Sequence, residues 1–497
     1  MVGSDKIAKS TWLKVTSWGV GALLLLLVLA GAGAYALLWP TLRAPPKAAV
    51  QRPHSAVEAN LQDLTYLRRF ADINRSFTST TRAEFLAQVD ALRGRAGQLS
   101  PGALEMGVSR AVAVADDAHT NIRGAGFGQS LNAIPIRLDW FREGLFVVEA
   151  DPAHADLLGA RVVSEEGRAP AAMLETLRPY TGGPFSFQRE HAPHFMISPA
   201  ALQGAGLAAA DDRLAFVFEL PGATQVSRTV VADPGPANGP PVSGRLRTIQ
   251  RDNHWPRRDL SPVRTPGDTR SWAHVLDGRP LPLYLSRPND FFWRTYLPQT
   301  GTLYLQINAT RSVPGGENLA TFLQGVVAEV KARGTHDAIV DVRFNPGGNG
   351  DLPVPFTKAL PAALPRDGRI FIITSGNTLS AGIITTARLK YYGGSRADIV
   401  GERIGDREQF WAEGQKMVLP NSGIAAHYTA AWHDWKTGCS ILQIGYCYLF
   451  LYQWGVPAGD LSPTIPAPIS FADYIAGVDT VMKAIRPLLK PGSGAVR

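Results

Sequence analysis

The residues best placed to do chemistry lie at two strand-to-loop junctions. The apolar run Ile370 to Thr374 gives way to Ser375-Gly376-Asn377-Thr378-Leu379-Ser380-Ala381-Gly382, and a helical pattern follows at once. Ser380 therefore falls at a helix N-terminus, where unpaired backbone N–H groups favour negative charge. The run Ala338 to Phe344 leads into Asn345-Pro346-Gly347-Gly348-Asn349-Gly350. Paired glycines reach positive φ there and can turn their N–H groups toward one concavity. A serine nucleophile whose oxyanion is held by the amides of Ala381 and of Gly347 or Gly348 is the chemistry this pair of loops permits. Singly, each loop reads as a turn, with Ser380 as a helix cap; side by side in one sheet, they read as a site. Thr378 stands where a G-x-S-x-G elbow needs its first glycine, which disfavours the common esterase arrangement.

The elements that must position these loops read as α/β. Strand Leu303 to Ile307, helix Asn318 to Ala332, strand Ala338 to Phe344, a short helix near Pro355, strand Ile370 to Thr374, helix Ala381 to Tyr391 and strand Ile399 to Glu402 alternate as βαβ units do. Upstream, Leu61, Leu64, Leu67 and Phe70, then Phe85, Val89 and Leu92, recur at helical spacing and predict a helical subdomain over 54–130 packing its own core. From Ile134 the period becomes two, and 131–232 reads as a small β module with an insertion. The stretch 233–289 is rich in Pro, Gly and Arg without periodicity and predicts a connection wrapping the surface; 290–490 is the core.

The sequence resembles the C-terminal processing, or tail-specific, serine peptidases. The resemblance rests on Asp341-Val342-Arg343-Phe344-Asn345-Pro346-Gly347-Gly348, Asn377-Thr378-Leu379-Ser380-Ala381-Gly382 and Val400-Gly401-Glu402, with Asp116-Asp117-Ala118-His119-Thr120 upstream. Leu419-Pro420-Asn421-Ser422-Gly423 and Ala476-Gly477-Val478-Asp479 extend it downstream. It implies a Clp/crotonase-like layered ββα core and a PDZ-like module in 131–232, the latter capturing substrate tails by strand addition and carboxylate binding. It also implies a catalytic lysine soon after Val400-Gly401-Glu402, where this chain has Arg403, Ile404, Gly405, Asp406 and Arg407. Arginine cannot take the serine proton. The resemblance to the tricorn-core branch, which uses a histidine, points to His119 as base, a role that suits a neutral imidazole. His427 and His433 are rivals, and Lys390 lies too far along its helix. Glu402 is the expected orienting acid, with Asp116 and Asp117 nearer in sequence.

Other signals bound the reading. His191-Ala192-Pro193-His194 lacks a third metal ligand and reads as a loop, because proline breaks helices. Gly315-Gly316 lacks a phosphate-loop ending, so neither metal nor cofactor is expected. The charge of +8 is scattered, and no nucleic-acid recognition motif accompanies it. Residues 15–42 carry no charge and are bracketed by Trp18 and Trp39, which predicts one transmembrane helix behind a cytoplasmic tail of 1–14, or an uncleaved signal. The catalytic domain would then be extracytoplasmic, periplasmic if the source is bacterial. Cys439 and Cys447 fit one small-loop disulfide or two buried thiols. The expectation is thus a membrane-anchored serine peptidase acting on proteins or peptides. The alternatives are a non-catalytic ligand- or peptide-binding protein and a small-ester hydrolase on the same fold.

Overall fold

The computed structural model describes residues 20, 23–33, 35, 44–48, 51–122, 131–233, 258–264, 266, 268 and 270–490. Of the apolar run 15–42, residues 20, 23–33 and 35 are helical and exposed, and the others lie outside the described residues. Among the described residues no helix is long and apolar enough to cross a membrane.

The fold is mixed α/β. Strands β1 (Ile136–Phe141), β2 (Gly144–Ala150), β3 (Arg161–Glu165), β4 (Arg213–Glu219) and β5 (Gln225–Val231) form an antiparallel sheet in chain order, and β6 (Ala273–His274) adds to β2. Helices Pro170–Leu177, Phe185–Met196 and Pro199–Gly204 are inserted between β3 and β4. The second sheet joins β7 (Phe292–Tyr296), β8 (Leu303–Ile307), β9 (Ala338–Asp341), β10 (Ile370–Thr374), β11 (Ala397–Gly401) and β16 (Ile465–Pro466) in the order 16-11-10-9-8-7. All neighbours there are parallel except β7 with β8. Its central strands are buried on both faces, which is why they read as unbroken apolar runs rather than alternating ones. Helices Leu319–Arg333, Val354–Ala363 and Ala381–Gly393 cover one face, and Thr480–Ile485 packs on the other. Between β11 and β16 come β12 (Gln409–Ala412), β13 (Lys416–Val418), β14 (Ala425–His427) and β15 (Ala431–Asp434), pairing as β12 with β15 and β13 with β14.

Three expectations need correction. The N-terminal helices Ala56–Leu67, Ser79–Gly94 and Pro101–Ala113 do not close a core alone; Leu64, Phe70, Phe85 and Val108 share it with Met417, Leu419, Ile424 and Tyr428 around the β13–β14 hairpin. Asp63, fully buried, fixes the join by accepting from the Asn421 and Ser422 amides at 2.8 and 2.7 Å. The described part of 233–289 is not a surface wrap, because Leu260, Leu276, Tyr284 and Leu285 fill the seam between Phe141, Phe146 and Val148 of the first sheet and Phe344 and Tyr474 of the core. His191 and His194 sit in the helix Phe185–Met196, which contains Pro193; the proline lacks the N–H that would pair with the Arg189 carbonyl, and the helix ends three residues later.

Two motifs far apart in sequence are joined by a buried ion cluster. Arg343, 1% exposed, donates to Asp341 at 3.0 and 2.9 Å and to both oxygens of Asp479 at 3.1 and 2.8 Å. The Tyr304 hydroxyl donates to Asp341 at 2.7 Å. An Asp479→Ala substitution would leave a desolvated guanidinium short of one partner, a loss on the order of 3–5 kcal/mol. Urea denaturation of this variant should show a much earlier midpoint, and an unchanged midpoint would refute the cluster's structural role.

Candidate active site

The two glycine- and serine-bearing loops leave the C-terminal ends of the adjacent parallel strands β9 and β10 and are laced together. Ser375 Oγ donates to the Arg343 carbonyl (2.6 Å), Thr378 Oγ1 to the Val342 carbonyl (2.9 Å) and the Leu379 amide to the Asn345 carbonyl (2.9 Å). Ser380, the residue before helix Ala381–Gly393, has φ 50° and ψ −119°, and its side chain makes no capping bond. That rules out the helix-cap role. A non-glycine residue held in this region costs about 1–3 kcal/mol, a strain that clusters at functional sites. Ser380 is half-buried and so stays in reach of solvent.

Gly347 lies against the serine: a Cβ there would stand 2.6 Å from Ser380 Cβ and 3.1 Å from its Oγ, at φ +118°. Gly348 (φ +138°) crosses Thr310, whose carbonyl would be 2.1 Å from an added Cβ. The Gly347 amide donates to Asn345 Oδ1 at 2.9 Å. Of the expected oxyanion donors, Gly347 supplies the close approach and its amide is taken by Asn345, while Gly348 is exposed and Ala381 is the first helical residue, a position without an intrahelical acceptor.

His119 reaches the same region. The segment after β11 is tied to the serine loop by the Gly405 amide donating to the Thr378 carbonyl at 2.9 Å, and the next residue, Asp406, meets His119 Nδ1 at 3.1 Å. Ala118, Leu379, Ala381, Ile404 and Phe410 share one apolar cluster, and the imidazole stacks on Phe410 at 4.9 Å and 7°. Asp117 holds the histidine loop, accepting the His119 and Thr120 amides at 2.9 and 3.0 Å and the Trp411 amide at 2.8 Å.

The carboxylate on the imidazole is thus Asp406, whereas Glu402, the expected orienting acid, is engaged by Arg189 at 3.3 Å. Asp406 escapes the sequence reading because Arg403 to Arg407 stand where a catalytic lysine is expected; the signal for it is an acid in the segment that follows β11. Of the rivals, His427 lies on β14 opposite Lys416, and His433 is buried with Glu413 at 3.3 Å. The inserted helix Phe185–Met196 braces this face: Ser186 donates to the Ile404 carbonyl (2.6 Å), and Asn377 donates to Glu190 (2.8 Å). Arg189 also donates to the Phe141 carbonyl of β1 at 3.1 Å, linking the two sheets.

Asp117, His119 and Asp406 offer ligand atoms within 4.8 Å of one another. Both carboxylates also take backbone or imidazole hydrogen bonds. Burial pushes Asp406 up to about 7, and burial with the nearby charge of Asp406 pushes Asp117 up to about 7.

Two laced strand-end loops on a mainly parallel sheet, an antiparallel sheet and flanking helices make up a mixed α/β fold. No protein-family model and no curated protein matches the chain. Among solved structures, mature CPAF complexed with lactacystin is 12% identical with a TM-score of 0.53, over 87% of this chain and 98% of that one. Mature CPAF is 13% identical with a TM-score of 0.51, over 87% and 96%. The photosystem II D1 C-terminal processing protease, 15% identical over 86% and 99%, superposes more loosely at 0.30. The likeness to CPAF is one of fold.

Two outcomes are expected. An aspartate favouring its protonated form when folded contributes stability that is full below the unfolded pKa near ~3.9 and is lost as pH climbs through about 7. Asp117→Asn and Asp406→Asn should each flatten the fall in stability between about pH 4 and pH 7, read by denaturant titration at several pH values. Gly347→Val should retain the circular dichroism spectrum yet lower reactivity of Ser380 by about 100-fold or more, since ångström displacements of a reacting group cost that much.

Proposed function

We propose that this protein is a serine-type peptidase that cleaves proteins or peptides through an acyl-enzyme, with Ser380 as nucleophile, His119 as general base and Asp406 as the acid that orients it. The observation that carries the reading is Ser380 itself: half-exposed, strained, uncapped and pressed against Gly347. In the first step His119 accepts the hydroxyl proton as Ser380 Oγ bonds to the carbonyl carbon; the Gly348 and Ala381 amides hold the oxyanion. The imidazolium then protonates the leaving amine, and water, deprotonated by the same ring, releases the acyl group. Asp406 fixes the ring through Nδ1 and balances the transient imidazolium. His119 takes the place of the lysine that the processing-type resemblance implies.

The antiparallel sheet is read as a PDZ-like module that presents substrate tails, supported by its order β1 to β5 and by the Arg189 link from β1 to Glu402. Work outside the cytoplasm, with membrane attachment through the N-terminal apolar run, is supported by that uncharged run and by the pairing of Cys439 with Cys447.

A fluorophosphonate probe should label the protein at Ser380, and Ser380→Ala should abolish both labelling and turnover of an unstructured peptide. His119→Ala should lower kcat by about 10²–10⁴-fold. A folded preparation that neither labels nor cleaves would favour a binding protein, and ester turnover without peptide turnover a small-ester hydrolase. In the active protein, kcat/KM should rise with pH through about 7 as Asp406 ionises, and Asp406→Asn should move the midpoint of that limb, which deprotonation of the His119 base alone would then set.

A further inference from the structure

The imidazole of His119 is the first ring of a column. Phe410 stacks on it at 4.9 Å and 7°; His433 stacks on Phe410 at 4.8 Å and 12°; Tyr448 stacks on His433 at 4.9 Å and 25°; Phe450 follows at 5.6 Å and 15°. Phe410 and His433 are register partners on β12 and β15, so their rings face one another across a paired ladder. They are 2% and 1% exposed, and His433 is held edge-on by Glu413 at 3.3 Å and by the Trp435 indole at 3.4 Å. None of these rings belongs to the nucleophile loop or the oxyanion donors.

The far end of the column is set by a covalent strap. Tyr448 follows Cys447, which is bonded to Cys439 with a Cα–Cα separation of 6.4 Å. The strap is pinned beside β15 where the Trp432 amide donates to the Tyr446 carbonyl and the Tyr448 amide to the Trp432 carbonyl, both at 2.8 Å. Arg75 donates to the Gly445 carbonyl at 3.3 Å, and the Tyr452 hydroxyl to the Ser440 carbonyl at 2.8 Å. Among the described residues this disulfide is the only one. Its effect is local: it closes a short loop whose main product is the placement of Tyr448.

We propose that Phe410, His433 and Tyr448 form a positioning column that sets the face and tilt of the His119 imidazole, with the Cys439–Cys447 strap as its end stop. The Asp406 bond fixes one edge of the ring but leaves rotation about that bond; a flat neighbour on the ring face removes it. Phe410 can serve only if its other face is backed, and His433 in turn is backed by Tyr448. Offset stacking supplies the restraint without any polar group that would compete for the proton. The catalytic importance of the column rests on His119 being the base, and its existence does not.

The test uses the full-length protein carrying histidine labelled with ¹³C at Cε1, the His119 resonance being identified by its loss in His119→Gln. Tyr448→Ala and the double variant Cys439→Ser/Cys447→Ser should move and broaden that resonance; Tyr448→Phe, which keeps the ring, should leave it in place. On an unstructured peptide, Tyr448→Ala should lower kcat about tenfold with little change in KM, and Tyr448→Phe should restore it. Dithiothreitol, oxidised to its cyclic disulfide as the cystine takes up two electrons and two protons, should reproduce the effect of the double variant. A His119 resonance in Tyr448→Ala and in the double variant that superimposes on the parent signal overturns the proposal. A resonance that moves while His119→Gln turns over normally upholds the column and refutes His119 as base.

Discussion

The whole site depends on one close approach, the passage of Gly347 beside Ser380. Two parallel strands bring their C-terminal ends within a few ångströms, and the loops leaving them compete for the same volume. The lack of a side chain at Gly347 resolves that competition, and the bonds from Ser375, Thr378 and Leu379 to the neighbouring loop then hold Ser380 in a conformation that an isolated chain would avoid. Strain and proximity are here one constraint: relaxing the serine backbone would break the lacing, and breaking the lacing would free the serine.

Around this point the structure gathers side chains from every part of the chain. The histidine loop comes from the end of the N-terminal helices, its acid from beyond β11, and its brace from a helix inserted between β3 and β4. Arg189 touches both Phe141 and Glu402, so the antiparallel sheet and the core meet at the edge of the site through one guanidinium. Buried ionic groups repeat the theme: Arg343 with Asp479 and Asp63 with the Asn421–Ser422 turn each join segments that sequence separates widely.

The core strands were legible because sheets covered on both faces leave long apolar runs, and the bounds of β8 and β10 coincide with those read from sequence. The two loops were legible because glycine pairs and a serine before a helix have few reasons to sit at adjacent strand ends. Less legible was anything set by what lies opposite. Helical spacing marks Leu64, Phe85 and Val89 as inward but is silent on the hairpin that covers them. Aperiodic sequence around Tyr284 and Leu285 hid a buried seam, since a few large side chains bury a segment without any repeat. Asp406 and Glu402 are carboxylates four positions apart on one segment, and only the turn after β11 decides which one meets the imidazole.

The pairing of His119 with Asp406 spans 287 positions of sequence. Contacts of such long range close late, because the chain entropy of the intervening loop must be overcome before they form. A nascent chain emerging from the ribosome would expose the histidine, then the glycines, then the serine, and only afterwards the aspartate that orients the ring. Until that last segment is made and docked, the growing polypeptide would lack the carboxylate partner of its imidazole.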